Sequence, residues 1–212
     1  DTAHDVEVVT HEAGHAFACW MNRDRIPMDY MWPSMEACEV HSMSMEFFAE
    51  KWTELFFGER AQDYIDMHLE DSAAFIPYGC MVDEFQHIVY ENPDMTPAER
   101  KAAWSKLEKV YKPHLDYGDN TFFGKGGFWQ KQSHIYSMPF YYIDYCLAQI
   151  CALQFKVKLD EDFNKAWGAY LKLCKLSASD FYTNMLKAVG LDCPFEDGCV
   201  KNIVEKLEKK MN

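Results

Sequence analysis

Residues that interrupt helices are scarce: 8 prolines and 10 glycines occur among 212 residues, gathered at a few places. No segment alternates apolar and polar residues as a half-buried strand would, which argues against a sandwich or barrel. No run approaches the roughly 20 apolar residues of a membrane span, so no membrane partner is expected. No signal-peptide pattern opens the chain, and a cytoplasmic location is the expectation. Basic residues are few, with Lys and Arg totalling 21 against 34 Asp and Glu, a net charge of −13. Such a surface repels phosphate backbones and excludes a general nucleic-acid role. The 8 cysteines form no CxxC pair, so a cysteine zinc knuckle has no support. Scattered among apolar helical residues, they are expected to be buried free thiols in a reducing cytosol.

What the chain has is apolar and aromatic content, 49% and 16%, which argues for a packed core rather than disorder. Helical spacing of Val8, Val9, Ala13, Ala16, Phe17 and Trp20 predicts a helix over 5–21. Pro27 and Pro33 mark a loop over 23–34, and a breaker-free run over 35–57 predicts one long helix closed by Gly58. Two helices, over 59–69 and 78–90, are expected on either side of Pro77. Thr96-Pro97-Ala98-Glu99 is a capping-box start for a helix running to about Tyr111. The glycine- and aromatic-rich stretch 116–138 is the least helical region. Pro139 is expected to open a helix running to about Val157, with three shorter ones near 161–173, 179–189 and 199–210. The reading is all-α, one helical domain over residues 1–212.

His11-Glu12-Ala13-Gly14-His15 carries the chemistry. On a helix, residues four apart share a face at roughly 6 Å, so His11 and His15 can grip one Zn²⁺. Glu12 can flank the metal as general base toward a bound water, whose pKa zinc lowers to about 7. The bland alternative is two exposed histidines on an ordinary helix. A catalytic zinc needs a third protein ligand. Glu36, Glu39, His41 and Glu46 on the next helix are candidates, and spacing does not choose among them. One carboxylate can bind the metal while another orients a ligand histidine. His4 reads as an exposed histidine near the chain start. His68, His87 and His114 lack metal-like partners at useful spacing and read as surface or hydrogen-bonded histidines.

A second constellation is His134 with Tyr141, Tyr142 and Tyr145, whose phenol and imidazole donors can stabilise charge on a carbonyl oxygen. Its alternative is a tyrosine-rich helix packed into the core. The stretch Phe122–Trp129 reads either as a loop closing over a peptide or as an ordinary surface loop.

HEAGHAF, EACEVHSMSMEFF, VDEFQHIVYENP with TPAER, SHIYSMPFYYIDY and the late PFEDGC together resemble the oligoendopeptidase F group of zinc peptidases, related to thimet oligopeptidase. The similarity runs over nearly the whole chain. The resemblance implies a zincin-like helical catalytic domain that cleaves internal bonds of short peptides in a deep channel. It implies one zinc held by His11, His15 and Glu39, with Glu12 as the base and Glu36 as an outer-shell carboxylate. It also implies that Tyr141, Tyr145 or both face the substrate carbonyl, with His134 holding the substrate or the same oxygen. Members of that group are more than twice this long, so the chain corresponds to the catalytic C-terminal region. The N-terminal half of the same enzyme is then an expected partner, beside oligopeptide substrates. A related metallocarboxypeptidase and a non-catalytic metal-binding helical fragment are the alternatives.

Overall fold

The computed structural model describes residues 2–176 and 179–211. Ten α-helices appear among them: α1 Ala3–Met21, α2 Met35–Ala49, α3 Glu54–Phe57, α4 Ala61–Glu91, α5 Pro97–Tyr111, α6 His134–Ser137, α7 Tyr142–Glu161, α8 Phe163–Leu176, α9 Tyr182–Val189 and α10 Cys199–Met211. Short 3₁₀ turns lie at Met28–Met31, Glu50–Trp52, Gly58–Arg60 and Phe128–Lys131. No strand occurs among the described residues, so the all-α expectation holds. No described helix is long and apolar enough to cross a membrane. All eight cysteines are free.

The helices form two compact units. One comprises the chain up to Ser72 together with the chain from Leu147 onward; the other is Ala73–Cys146. In the first, α1 starts on a capping box in which the Thr2 hydroxyl accepts from the Asp5 amide and the Asp5 carboxylate accepts from the Thr2 amide. Its partner is α2, and α8 packs across both. Phe48 lies 5.0 Å from Tyr170 and 5.3 Å from Trp167, ring to ring, and the Tyr170 hydroxyl donates to the His41 carbonyl at 2.8 Å. Phe47, Phe48, Phe155, Tyr170, Leu173, Met185 and Leu186 are fully buried here. Full burial of such side chains stabilises by roughly 1.5–3 kcal/mol each.

The second unit holds the end of α4, then α5, the glycine–aromatic stretch, α6 and the start of α7. Its core is Met81, Val82, Phe85, Trp104, Leu107, Trp129, Ile135 and Tyr142. Glu108 ties the stretch after α5 to that helix: its Oε1 accepts from Trp104 Nε1 at 2.6 Å and from the Tyr117 hydroxyl at 2.7 Å. Gly126 has φ of +79°, and a Cβ there would collide with the Lys101 carbonyl. The end of the Phe122–Trp129 stretch is packed down through Phe128 and the buried Trp129, while Phe122, Gly124 and Lys125 stay exposed.

Three element expectations need correction. Pro77 does not separate a pair of helices but sits inside α4. A proline there costs about 3 kcal/mol, and the helix continues because both flanks are tied down. Beyond Pro77, Met81, Val82 and Phe85 are completely buried; before it, His68 is held by two carboxylates. The run 35–57 breaks at Glu50, where a 3₁₀ turn replaces α-helix. Finally, Pro139 does not open α7, which starts at Tyr142. Phe140 takes φ of +64°, held by its amide donating to Gln86 Oε1 at 2.8 Å and by ring contacts of 5.0 Å to both His87 and Tyr90. Tyr141 thus precedes the helix that carries Tyr145.

Candidate metal centre

Gly14 sets how closely α1 and α2 approach. A Cβ on it would stand 2.6 Å from the His41 carbonyl oxygen, 2.7 Å from Ser42 Cα and 2.9 Å from Met45 Cβ. Only a residue without a side chain allows this backbone-to-backbone crossing. The flanking His11 and His15, one turn apart on α1, are thereby brought against Glu39 of α2. His11 Nε2 lies 3.1 Å and His15 Nε2 3.3 Å from the same oxygen, Glu39 Oε2. The three side chains offer ligand atoms all within 4.8 Å of one another.

This donor set fits zinc. With ligand bonds of about 2.0–2.2 Å, the edge of a coordination tetrahedron is roughly 3.3 Å, which is the spacing found from each imidazole to the carboxylate. Two nitrogens and one oxygen leave a fourth position for water or substrate. The electrostatics favour positive charge at this point. Burial lowers the His11 pKa, but hydrogen bonds to Glu39 and Glu46 outweigh it and raise it to about 9. Burial likewise opposes the charge on His15, while Cys38 and Glu39 raise it to about 10. A carboxylate ringed by two imidazoles stabilises either protons or a metal cation there.

The surroundings orient each ligand. The Ser42 hydroxyl, completely buried, lies 2.9 Å from Glu39 Oε2, its natural acceptor. Cys38 Sγ approaches His15 Nδ1 at 3.8 Å. His11 Nδ1 lies 2.7 Å from Glu46 Oε1, so an N–H donated there leaves Nε2 with its lone pair directed to the metal position. Sequence spacing had left four candidates on α2; the structure brings Glu39 to the two histidines and gives the orienting contact to Glu46. The contact to His11 Nδ1 is made by Glu46 rather than by Glu36, the other outer-shell candidate. His41 is completely buried with Nδ1 2.9 Å from the Ala37 carbonyl. Burial pushes its pKa down to about 4, so it stays a neutral core residue. Glu12 follows His11 on the exposed side of α1. His4 and His114 are exposed, and His87 pairs with Asp83 at 3.5 Å.

His68, read from the sequence as a surface or hydrogen-bonded histidine, is hydrogen-bonded, to partners the sequence did not reveal. It is only 4% exposed, with Nε2 2.9 Å from Glu46 Oε2 and Nδ1 3.3 Å from Glu50 Oε1. Burial lowers its pKa, but the two carboxylates prevail and raise it to about 9. Glu50 Oε2 in turn accepts from Lys156 Nζ at 2.7 Å. Helical spacing within one element gives no signal for a partner on a helix 22 residues away.

In the second unit, His134 and the tyrosines do assemble. His134 Nδ1 lies 2.8 Å from Gln132 Nε2, and its Nε2 lies 3.4 Å from the Tyr145 hydroxyl. The Tyr78 hydroxyl donates to Gln132 Oε1 at 2.8 Å, extending the chain of hydrogen bonds. Tyr141 and Tyr145 are 5.1 Å apart ring to ring and half-buried, whereas Tyr142 belongs to the core.

The model of peptidase family M3 matches residues 2–205. The chain belongs to peptidase family M3. Solved structures agree over the whole chain. PZ peptidase A with an inhibitor is 53% identical with a TM-score of 0.96, and the chain covers 38% of it. A chain assigned as oligoendopeptidase F is 54% identical with a TM-score of 0.96, with 37% covered. Another so assigned, from Bacillus anthracis str. Ames, is 44% identical with a TM-score of 0.85, with 35% covered. The chain thus spans under two-fifths of the length of these M3 relatives. No curated protein matches it.

Proposed function

We propose that this chain carries the catalytic machinery of a zinc-dependent oligoendopeptidase of family M3, with His11, His15 and Glu39 holding one Zn²⁺. The observation that carries the reading is the convergence of both imidazole Nε2 atoms on Glu39 Oε2 at 3.1 and 3.3 Å. Bound zinc supplies a Lewis acid that polarises a carbonyl and brings the pKa of a water down to about 7. Glu12, next to His11 on the exposed side of α1, takes a proton from the attacking water and passes it to the leaving nitrogen. Glu46 keeps the His11 ring in the tautomer that presents Nε2. His134 with Tyr141 or Tyr145 donates to the carbonyl oxygen as charge develops. Partial exposure of all three supports that role, whereas Tyr142 is buried in the core, against which Tyr145 also packs.

Substrates are oligopeptides, and an N-terminal half, consistent with the greater length of the relatives, is a partner in forming the substrate cleft. Eight free cysteines fit a reducing compartment such as the cytosol. The test is metal analysis of the purified full-length protein with an internally quenched peptide. Zinc near one equivalent and internal cleavage abolished by a chelator support the reading. Stepwise release of C-terminal residues would assign a carboxypeptidase, and metal binding without cleavage a non-catalytic module.

A further inference from the structure

Buried charges extend well beyond the three candidate ligands. From His11 the contacts run to Glu46 on α2, to His68 on α4, to Glu50 in the 3₁₀ turn after α2, and to Lys156 on α7. All five residues lie in the first unit. We propose that His68 is a positioning residue of the metal centre: clamped between Glu46 and Glu50 and anchored through Lys156, it fixes the carboxylate that orients His11. The inference rests on the metal-centre reading above and adds to it a residue 57 positions along the chain from His11.

Three observations carry it. Glu46 uses one oxygen for each histidine, Oε1 for His11 at 2.7 Å and Oε2 for His68 at 2.9 Å. Holding both oxygens fixes the rotation of the carboxylate plane, and with it the ring of His11. The His68 ring is itself immobilised, stacked on Tyr64 at 5.8 Å and 8° and packed against Phe47 at 4.6 Å. Its second nitrogen faces Glu50, whose other oxygen accepts from Lys156 at 2.7 Å. Stability alone does not account for such an array. Buried ion pairs lose much of their Coulomb gain to desolvation, and apolar replacements of similar volume are often neutral or stabilising. What an apolar cluster lacks is the ability to hold a carboxylate against His11 Nδ1.

The experiment measures zinc affinity of the full-length protein by competition with a chromophoric chelator. The visible spectrum of the cobalt-substituted protein is recorded alongside. His68→Gln keeps one donor and loses the two-sided clamp. Zinc affinity is expected to fall about tenfold, within the 10- to 100-fold range of outer-shell substitutions. The cobalt spectrum should shift, and kcat should fall with KM little changed. In a Glu46→Gln background the same change should add nothing, because the path runs through Glu46. Glu50→Gln, farther from the ligands, should shift affinity in the same direction by less, and it serves if His68→Gln does not fold. Native affinity and spectrum in folded His68→Gln overturn the proposal, as do equal losses with and without Glu46. If the unaltered protein binds no zinc, the metal-centre reading falls and this proposal with it. Tight native binding that His68→Gln and Glu50→Gln leave unmoved refutes this proposal alone.

Discussion

Replacing Gly14 by Ala places a methyl group where α1 and α2 leave no room. The new Cβ would stand 2.6 Å from the His41 carbonyl oxygen and 2.7 Å from Ser42 Cα, both backbone atoms inside α2. Ordinary contact begins near 3.5 Å, so the helices must separate by roughly 0.9 Å. No side chain can swing aside to absorb this. Alanine gains about 1 kcal/mol of helix propensity over glycine, and overpacking costs typically 1–3 kcal/mol or more. We expect a net loss of up to about 2 kcal/mol, or up to roughly 8 °C in Tm for a chain of this size. The larger consequence falls on the metal. Ligand distances tolerate only about 0.2 Å, and Glu39 rides on the displaced helix. Zinc affinity should therefore drop by at least about tenfold. Gly168, mid-helix in α8 with nothing within 4 Å of its Cβ position, is the contrasting case. There Ala should stabilise by about 0.5–1 kcal/mol and leave zinc untouched. Thermal unfolding of the metal-free protein and chelator competition read both effects. A Gly14→Ala protein with native Tm and native zinc affinity would refute the close-packing argument.

Further outcomes follow from the same geometry. Glu39→Ala removes the oxygen shared by both histidines and should sharply weaken zinc binding; unchanged affinity would move the third ligand elsewhere. Glu12→Gln should retain zinc and lose turnover by on the order of 10²-fold or more, and near-normal turnover of the zinc-loaded variant would reject Glu12 as the base. Of Tyr141→Phe and Tyr145→Phe, the one that removes the true donor should lower kcat by about 2–4 kcal/mol with zinc content intact; two silent variants end the donor role. His68 has its pKa raised from 6.5 to about 9, so its protonated form adds stability that is full below pH 6.5 and lost as pH rises through about 9. In the zinc-loaded protein, where His11 and His15 carry no metal-displaceable proton, the stability advantage of native over His68→Gln should shrink across that window. A gap that widens from pH 6.5 to 9 would contradict the sign.

Local physics is what the sequence alone determined. Two histidines four apart on a proline-free helical segment share one face whatever the rest of the chain does, because the helical period is fixed. Thr96-Pro97-Ala98-Glu99 starts α5 by its own hydrogen bonds, the Glu99 carboxylate accepting from the Thr96 amide at 2.7 Å. Scarce proline and glycine gave the all-α class for the same reason. The tertiary structure decided whatever depends on a second element. Glu36, Glu39 and Glu46 are indistinguishable along α2, and only the close crossing at Gly14 brings Glu39 to the histidines. The two carboxylates that hold His68 come from α2 and the turn that follows, not from its own helix. Pro77 reads as a helix end because propensity is local, yet burial of Met81, Val82 and Phe85 carries α4 through it. Periodicity belongs to one helix at a time, whereas the choice of ligand, orienting carboxylate and clamp belongs to the distances between helices.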